Sequence, residues 1–119
     1  METKFSKPIY TVKSIIDEMF EVRTSIHKEH LATSSYAEHI ALNEFYDGIL
    51  EITDRFAEAY QGRFNTRIYN SSNSVEIVSN LRKKLQEYIL SLKQDKELEN
   101  IIAEAIEQCD ETLYKLTLK

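Results

Sequence analysis

Glycine and proline are nearly missing from this chain. Two glycines and one proline in 119 residues exclude a turn-rich β architecture and favour long uninterrupted helices. A single cysteine, Cys109, excludes an internal disulfide and fits a reducing cytoplasm. No apolar run approaches the roughly 18 residues of a membrane span, and the opening "METKFSKPIY" has no signal-peptide core. The expectation is therefore a cytoplasmic protein with no membrane association. A Gly-rich phosphate loop, an H-E-x-x-H motif, a cysteine cluster and a Ser/His/Asp set are also missing. What is present, 42% apolar and 29% charged residues, describes a soluble globular chain rather than a disordered one. The length fits one domain, residues 1–119, with a core of its own.

Charge is unevenly spread. Residues 1–13 sum to +2, residues 14–62 to −7, residues 63–94 to +4 and residues 95–119 to −4, for a net −5. Phosphate binding needs clustered Lys and Arg, so a net-acidic chain is a poor general nucleic-acid binder. The short Lys4/Lys7/Lys13 tail and the run "RFNTR" followed by "LRKKL" are the local exceptions. The plain account of the latter is a loop followed by a solvated helix face.

Four stretches repeat apolar residues at three- and four-residue spacing, the period of an amphipathic helix. They predict helices near residues 10–30, 36–61, 74–93 and 96–117. Capping boxes are expected at Ser35–Glu38 and Asn73–Glu76, and Gly62 reads as a helix stop. The expected core is Ile16, Phe20, Leu42, Ile49, Phe56, Leu81, Leu85, Ile102 and Cys109. Cys109 falls on the apolar stripe of its helix, as a buried, inert thiol. Together these imply an all-α four-helix bundle. Short connections near "HLATSS" and "KQDKE" make antiparallel neighbours of helices one and two and of helices three and four. The segment between the pairs, Arg63 to Asn73, reaches about 36 Å when extended. That would just cross the bundle lengthwise, and it would equally serve as a slack loop.

The stretch "HLATSSYAEHIALNEFYDGILEITDRFAEAYQG", His30 to Gly62, resembles a family of small tailed-phage proteins that are similar in turn to the Dps-like mini-ferritins. Those proteins end a first helix with His-Trp and begin a second near another histidine. An acid follows four residues later, and an Asp-x-x-x-Glu pair lies further on. Here His30-Leu31 matches the first element with its tryptophan replaced, and His27 is a rival for that histidine. His39 matches the second histidine, Asn43 stands where the first acid is expected, and Asp54 and Glu58 match the final pair. The resemblance implies a ferritin-like bundle, a homo-oligomer and a location in the host cytoplasm. It also implies iron or another divalent metal at a subunit interface, held by His27, His30, His39, Asp54 and Glu58, with at most a weak ferroxidase-like activity.

Helix geometry places limits on that site. Taking His39 as zero, Asn43 falls at about 40°, Asp54 at about 60°, Asp47 at about 80° and Glu58 at about 100°. The apolar stripe of Leu42, Phe45, Ile49 and Phe56 centres near 270°, by the same rule of about 100° per residue. The acids thus point away from the core, as an intersubunit site requires and as a solvated face also would. Asp54 is about 22 Å along the helix from His39, so one ion would need two chains. At a helix C-terminus His27 and His30 suit the dipole as cations; as ligands they would be neutral, each with a partner on the other ring nitrogen. Tyr69, beside Arg67 in the long loop, is placed to stack on a base or a partner.

Three functional classes follow. One is a ferritin-like metal-binding protein. Another is a non-enzymatic helical interaction module that binds or inhibits a host or virion protein, which accounts most simply for Asn43. The third, nucleic-acid protection, is disfavoured by the low basicity.

Overall fold

In the computed structural model, which describes residues 9–118, the chain is all-helical, with no strand among those residues. Four α-helices run in order: α1 (Val12–Ala32), α2 (Tyr36–Phe64), α3 (Ser74–Tyr88) and α4 (Lys96–Lys115). A short 3₁₀ turn, Ile89–Leu92, extends α3. Lys4 and Lys7 of the basic tail lie outside the described residues. The helices form two compact units divided between Asn70 and Ser71, α1 with α2 and α3 with α4. No helix among the described residues is long and apolar enough to cross a membrane.

Capping chemistry fixes the helix ends, not always where the sequence suggests. Thr11 and Ser14 exchange side-chain and backbone hydrogen bonds of 3.0 and 2.9 Å, a full capping box that starts α1. Ser35 accepts from the Glu38 amide at 3.2 Å, the serine half of the expected box. Asn73 makes no side-chain cap bond, whereas Asp95 accepts from the Leu98 amide at 3.1 Å and starts α4. Gly62 is not a stop: α2 runs through it and ends at Asn65, whose φ of 49° is the left-handed turn that asparagine tolerates better than most residues.

The α1–α2 hairpin packs along a seam that is polar as much as apolar. One line of its buried and half-buried positions recurs every seven residues, at Ile16, Arg23 and His30 on α1 and at His39, Tyr46, Thr53 and Tyr60 on α2, flanked by half-buried Val12, Met19, Ile26, Leu42 and Ile49. A seven-residue repeat is the signature of two helices packed nearly antiparallel with side chains interlocked. Ile16 and Thr53 are fully enclosed, and the Thr53 hydroxyl is satisfied by donating to the Ile49 carbonyl at 2.6 Å. The α3–α4 hairpin closes on Cys109, buried as expected, with Val78, Leu85, Ile102 and Leu113 half-buried around the seam. Arg82 donates to Asp110 across this pair, a contact that favours the charged guanidinium.

Three expected core residues lie outside. Phe20 is 39% exposed, Phe56 43% and Leu81 51%. For Phe56 the reason is rotational: the line His39, Tyr46 and Thr53 that packs on α1 lies more than half a right angle around α2 from the centre of its apolar stripe. Truncating Phe56 therefore opens no internal cavity.

Beyond α2, the segment 65–70 folds back on its own hairpin. The Ile68 amide donates to the Gln61 side chain at 3.0 Å, and the Tyr69 hydroxyl donates to the Asp17 carboxylate on α1. Lys13 pairs with Asp17 at 3.1 Å and lies over the Tyr69 ring at 5.2 Å. Tyr69 thus has a partner within its own hairpin. The tyrosine hydrogen bond, with help from Lys13, holds the Asp17 carboxyl below its ordinary value, while partial desolvation and the Asp17 carboxylate push the Tyr69 hydroxyl up to about 12. A proton held more tightly in the folded chain stabilises it below the ordinary tyrosine value of about 10, and that contribution is lost as pH rises through about 12. Tyrosinate absorbance of the wild type minus that of Tyr69→Phe should show one tyrosine titrating near 12. A difference curve centred at the ordinary value of about 10 would mean that the contact is not formed.

Candidate functional site

The closed end of the first hairpin gathers the chain's three histidines. His30 sits in the last turn of α1, where backbone carbonyls have no amide below them. His39 follows in the first turns of α2, after the three-residue connection Thr33–Ser35. The Nδ1 of His39 reaches the His30 carbonyl at 3.1 Å, and the Nδ1 of His30 reaches the His39 carbonyl at 2.9 Å. A carbonyl oxygen only accepts, so each Nδ1 carries the proton; in the neutral ring the free lone pair is on Nε2. The two rings stack with centroids 3.7 Å apart and planes inclined by 26°. His30 is buried and His39 half-buried.

The next layer is aromatic. His27 stacks on Tyr46 at 3.9 Å, nearly parallel, and His30 meets the same tyrosine edge-on at 5.3 Å. The Tyr46 hydroxyl donates to Asn43 Oδ1 at 2.7 Å, and Asn43 Nδ2 donates to Asp47 at 3.3 Å. An amide is the side chain that can do both at this point. A carboxylate there would accept from Tyr46 but would face Asp47 with like charge. Arg23 lies over the other part of this layer, its guanidinium 5.5 Å from the Tyr46 centroid. Its Nε is buried without a hydrogen-bond partner among the described residues.

The structure brings His27, His30 and His39 together and leaves Asp54 and Glu58 apart from them. The two acids are exposed on α2, about 22 and 28 Å along the helix from His39. His39 does not share their outward face: it turns onto α1, because the seam of α2 passes through positions 39, 46 and 53. Imidazole lone pairs lie in the ring plane. Two nearly parallel planes 3.7 Å apart aim them alongside one another, whereas a shared ion needs both nitrogens to converge at about 2.0–2.1 Å. Among the described residues, no three His, Cys, Asp or Glu side chains gather as a metal-binding group. Within one copy the arrangement works as a clasp: it satisfies an orphan helix-end carbonyl and fixes the register of α1 against α2. Sequence reading missed Arg23, Tyr46 and the bonded role of Asn43. The seven-residue spacing of 16-23-30 and 39-46-53 was the signal that would have found them.

The sequence profile of one family, described as a family of unknown function (DUF5856), matches residues 30–116. The chain belongs to DUF5856. The matched span begins at His30, so it includes both histidines of the clasp and takes in α2, α3 and most of α4. No curated protein and no solved structure matches the chain. For this DUF5856 member the clasp makes a direct prediction. His39→Ala removes one ring hydrogen bond and strands the other partner, and should lower unfolding stability by about 1–3 kcal/mol in denaturant titration. Asn43→Asp should also destabilise, by about 1 kcal/mol at neutral pH, with the loss shrinking as carboxylates protonate. An unchanged Asn43→Asp variant would show that the Tyr46–Asn43–Asp47 chain of bonds does not form.

Proposed function

We propose that the chain is a non-enzymatic helical interaction module that works by self-association, the apolar face of each hairpin docking on a second copy. The observation that carries this reading is the row Phe45, Ile52 and Phe56 on α2. All three are exposed, at seven- and four-residue spacing, on the side of the helix not used by the seam. A second row, Ile77, Leu81 and Tyr88, is exposed along α3. Each row spans 12 residues, about 16 Å of helix from first to last, so the two match in length. Their surroundings are of opposite sign: residues 14–62 sum to −7 and residues 63–94 to +4. Pairing α2 of one copy with α3 of the other, made reciprocally, would give a two-fold dimer with the same contact twice.

A second reading is a divalent-metal site shared between copies, with His27, His30 and His39 on one side and Asp54 and Glu58 on the other. It is favoured by the Nδ1-to-carbonyl bonds, which leave the Nε2 atoms of His30 and His39 as the free ring nitrogens, and by the exposure of both acids. Stoichiometric iron in protein purified without chelator would support it.

Sedimentation of the purified chain at tens of micromolar tests the main reading. We expect a dimer, converted to monomer by Phe45→Ser with Phe56→Ser, and weakened by Lys83→Glu with Lys84→Glu chiefly at low salt. A wild-type monomer at that concentration would remove the basis for self-association.

A further inference from the structure

We infer that the Tyr69–Asp17 contact is a latch that sets how much free chain connects the two hairpins. The segment after α2 is held on the first hairpin at three points. Asn65 reverses the chain in the left-handed conformation, and the Thr66 amide donates to the Gln61 carbonyl at 3.2 Å. The Ile68 amide donates to the Gln61 side chain at 3.0 Å, and the Tyr69 hydroxyl closes on Asp17 of α1. The first two contacts are local to the end of α2. Tyr69 ties the segment to the other helix, its bond to Asp17 bridging 52 positions in sequence.

The latch is built from more than one bond. Lys13 reaches Asp17 from one turn below at 3.1 Å and covers the tyrosine ring at 5.2 Å, so cation, carboxylate and phenol hold one another. All three side chains are nevertheless open to water, and Tyr69 is 41% exposed. Such a contact is strong enough to close and exposed enough to be released without unfolding either helix. With the latch closed, the free connection before α3 is Asn70–Asn73, with a reach of about 14 Å; with it open the connection gains Tyr69 and reaches about 17 Å, and once the Gln61 bonds to Thr66 and Ile68 that it backs also release, the connection runs from Asn65 and reaches about 32 Å. The latch is therefore a length control on the tether. A longer tether widens the range over which the second hairpin can meet a partner. The inference stands whether or not the chain self-associates.

Trypsin supplies the test, because Arg67–Ile68 is a cleavable bond inside the latched segment. Cleavage needs an extended, mobile backbone, so its rate after Arg67 reports the open fraction. In the full-length chain we expect slow cleavage there. Tyr69→Phe and Asp17→Asn should each raise it on the order of tenfold, with helix content by circular dichroism unchanged since both side chains are exposed. Lys13→Gln should have a smaller effect in the same direction. The double variant Asp17→Asn with Tyr69→Phe should be cut no faster than either single variant, because the two remove one shared contact. Equal cleavage in the wild type and both single variants would overturn the latch. A double variant cut at the product of the single effects would overturn it as well, since the side chains would then act separately.

Discussion

Two imidazoles, each bonded through Nδ1 to the other's backbone carbonyl, set the register on which the first hairpin depends. The pair fixes His30 opposite His39, and the same antiparallel register then brings Arg23 onto Tyr46 and sets Ile16 against Thr53. Helices held by apolar contact alone slide and rotate at little cost, because hydrophobic attraction has no direction. Ring-to-carbonyl hydrogen bonds do have direction. A one-residue slip would break both and leave buried polar groups without partners, a costly state. The clasp also satisfies one of the carbonyls that the end of α1 leaves free, so it caps and aligns at once.

The polar line has a consequence on the flank of α2. A helix has a limited circumference, and where histidine, tyrosine and threonine occupy the middle of the packed face, some of the large apolar side chains lie at its flank. Phe45, Ile52 and Phe56 are outside because His39, Tyr46 and Thr53 are inside. The same choice that gives the hairpin one register leaves an apolar row on its surface. Isolated exposed apolar side chains are ordinary, but an ordered row on a helix is the pattern of a surface that meets a partner. The clasp and the proposed docking face are two results of one distribution of residues around one helix.

The helices themselves were legible in the sequence, because apolar spacing of three and four residues, scarce glycine and proline, and caps such as Ser35 and Asp95 act locally. Their ends were less so. Gly62 suggested a stop, but glycine is only disfavoured within a helix, and Asn65 supplied the left-handed turn instead. The core was misread for a physical reason. Ranking positions by hydrophobicity selects Phe20 and Phe56, whereas the seam is selected by hydrogen bonding and ring stacking across two helices, which no single-helix pattern displays. The three histidines were all candidates in the sequence, as ligands beside Asp54 and Glu58, and the structure gathers them at one end of the hairpin away from those acids. The partners that hold them, Tyr46 and Asn43, were hidden because a tyrosine and an amide look like ordinary surface residues until the facing helix is in place. The latch was equally invisible, since Tyr69 and Asp17 are related only through the fold.

The most direct measurement is the tautomeric state of the three histidines by nitrogen NMR of the labelled chain, with the rings neutral. Reciprocal ring-to-carbonyl bonding requires His30 and His39 both to be the Nδ1–H tautomer, the form less common for a free imidazole in water, and each proton should show protection from exchange. His27, which stacks on Tyr46 but makes no such bond, carries no such requirement. Finding either His30 or His39 predominantly as the Nε2–H tautomer would contradict the clasp, and with it the register from which the seam and the exposed apolar row are derived.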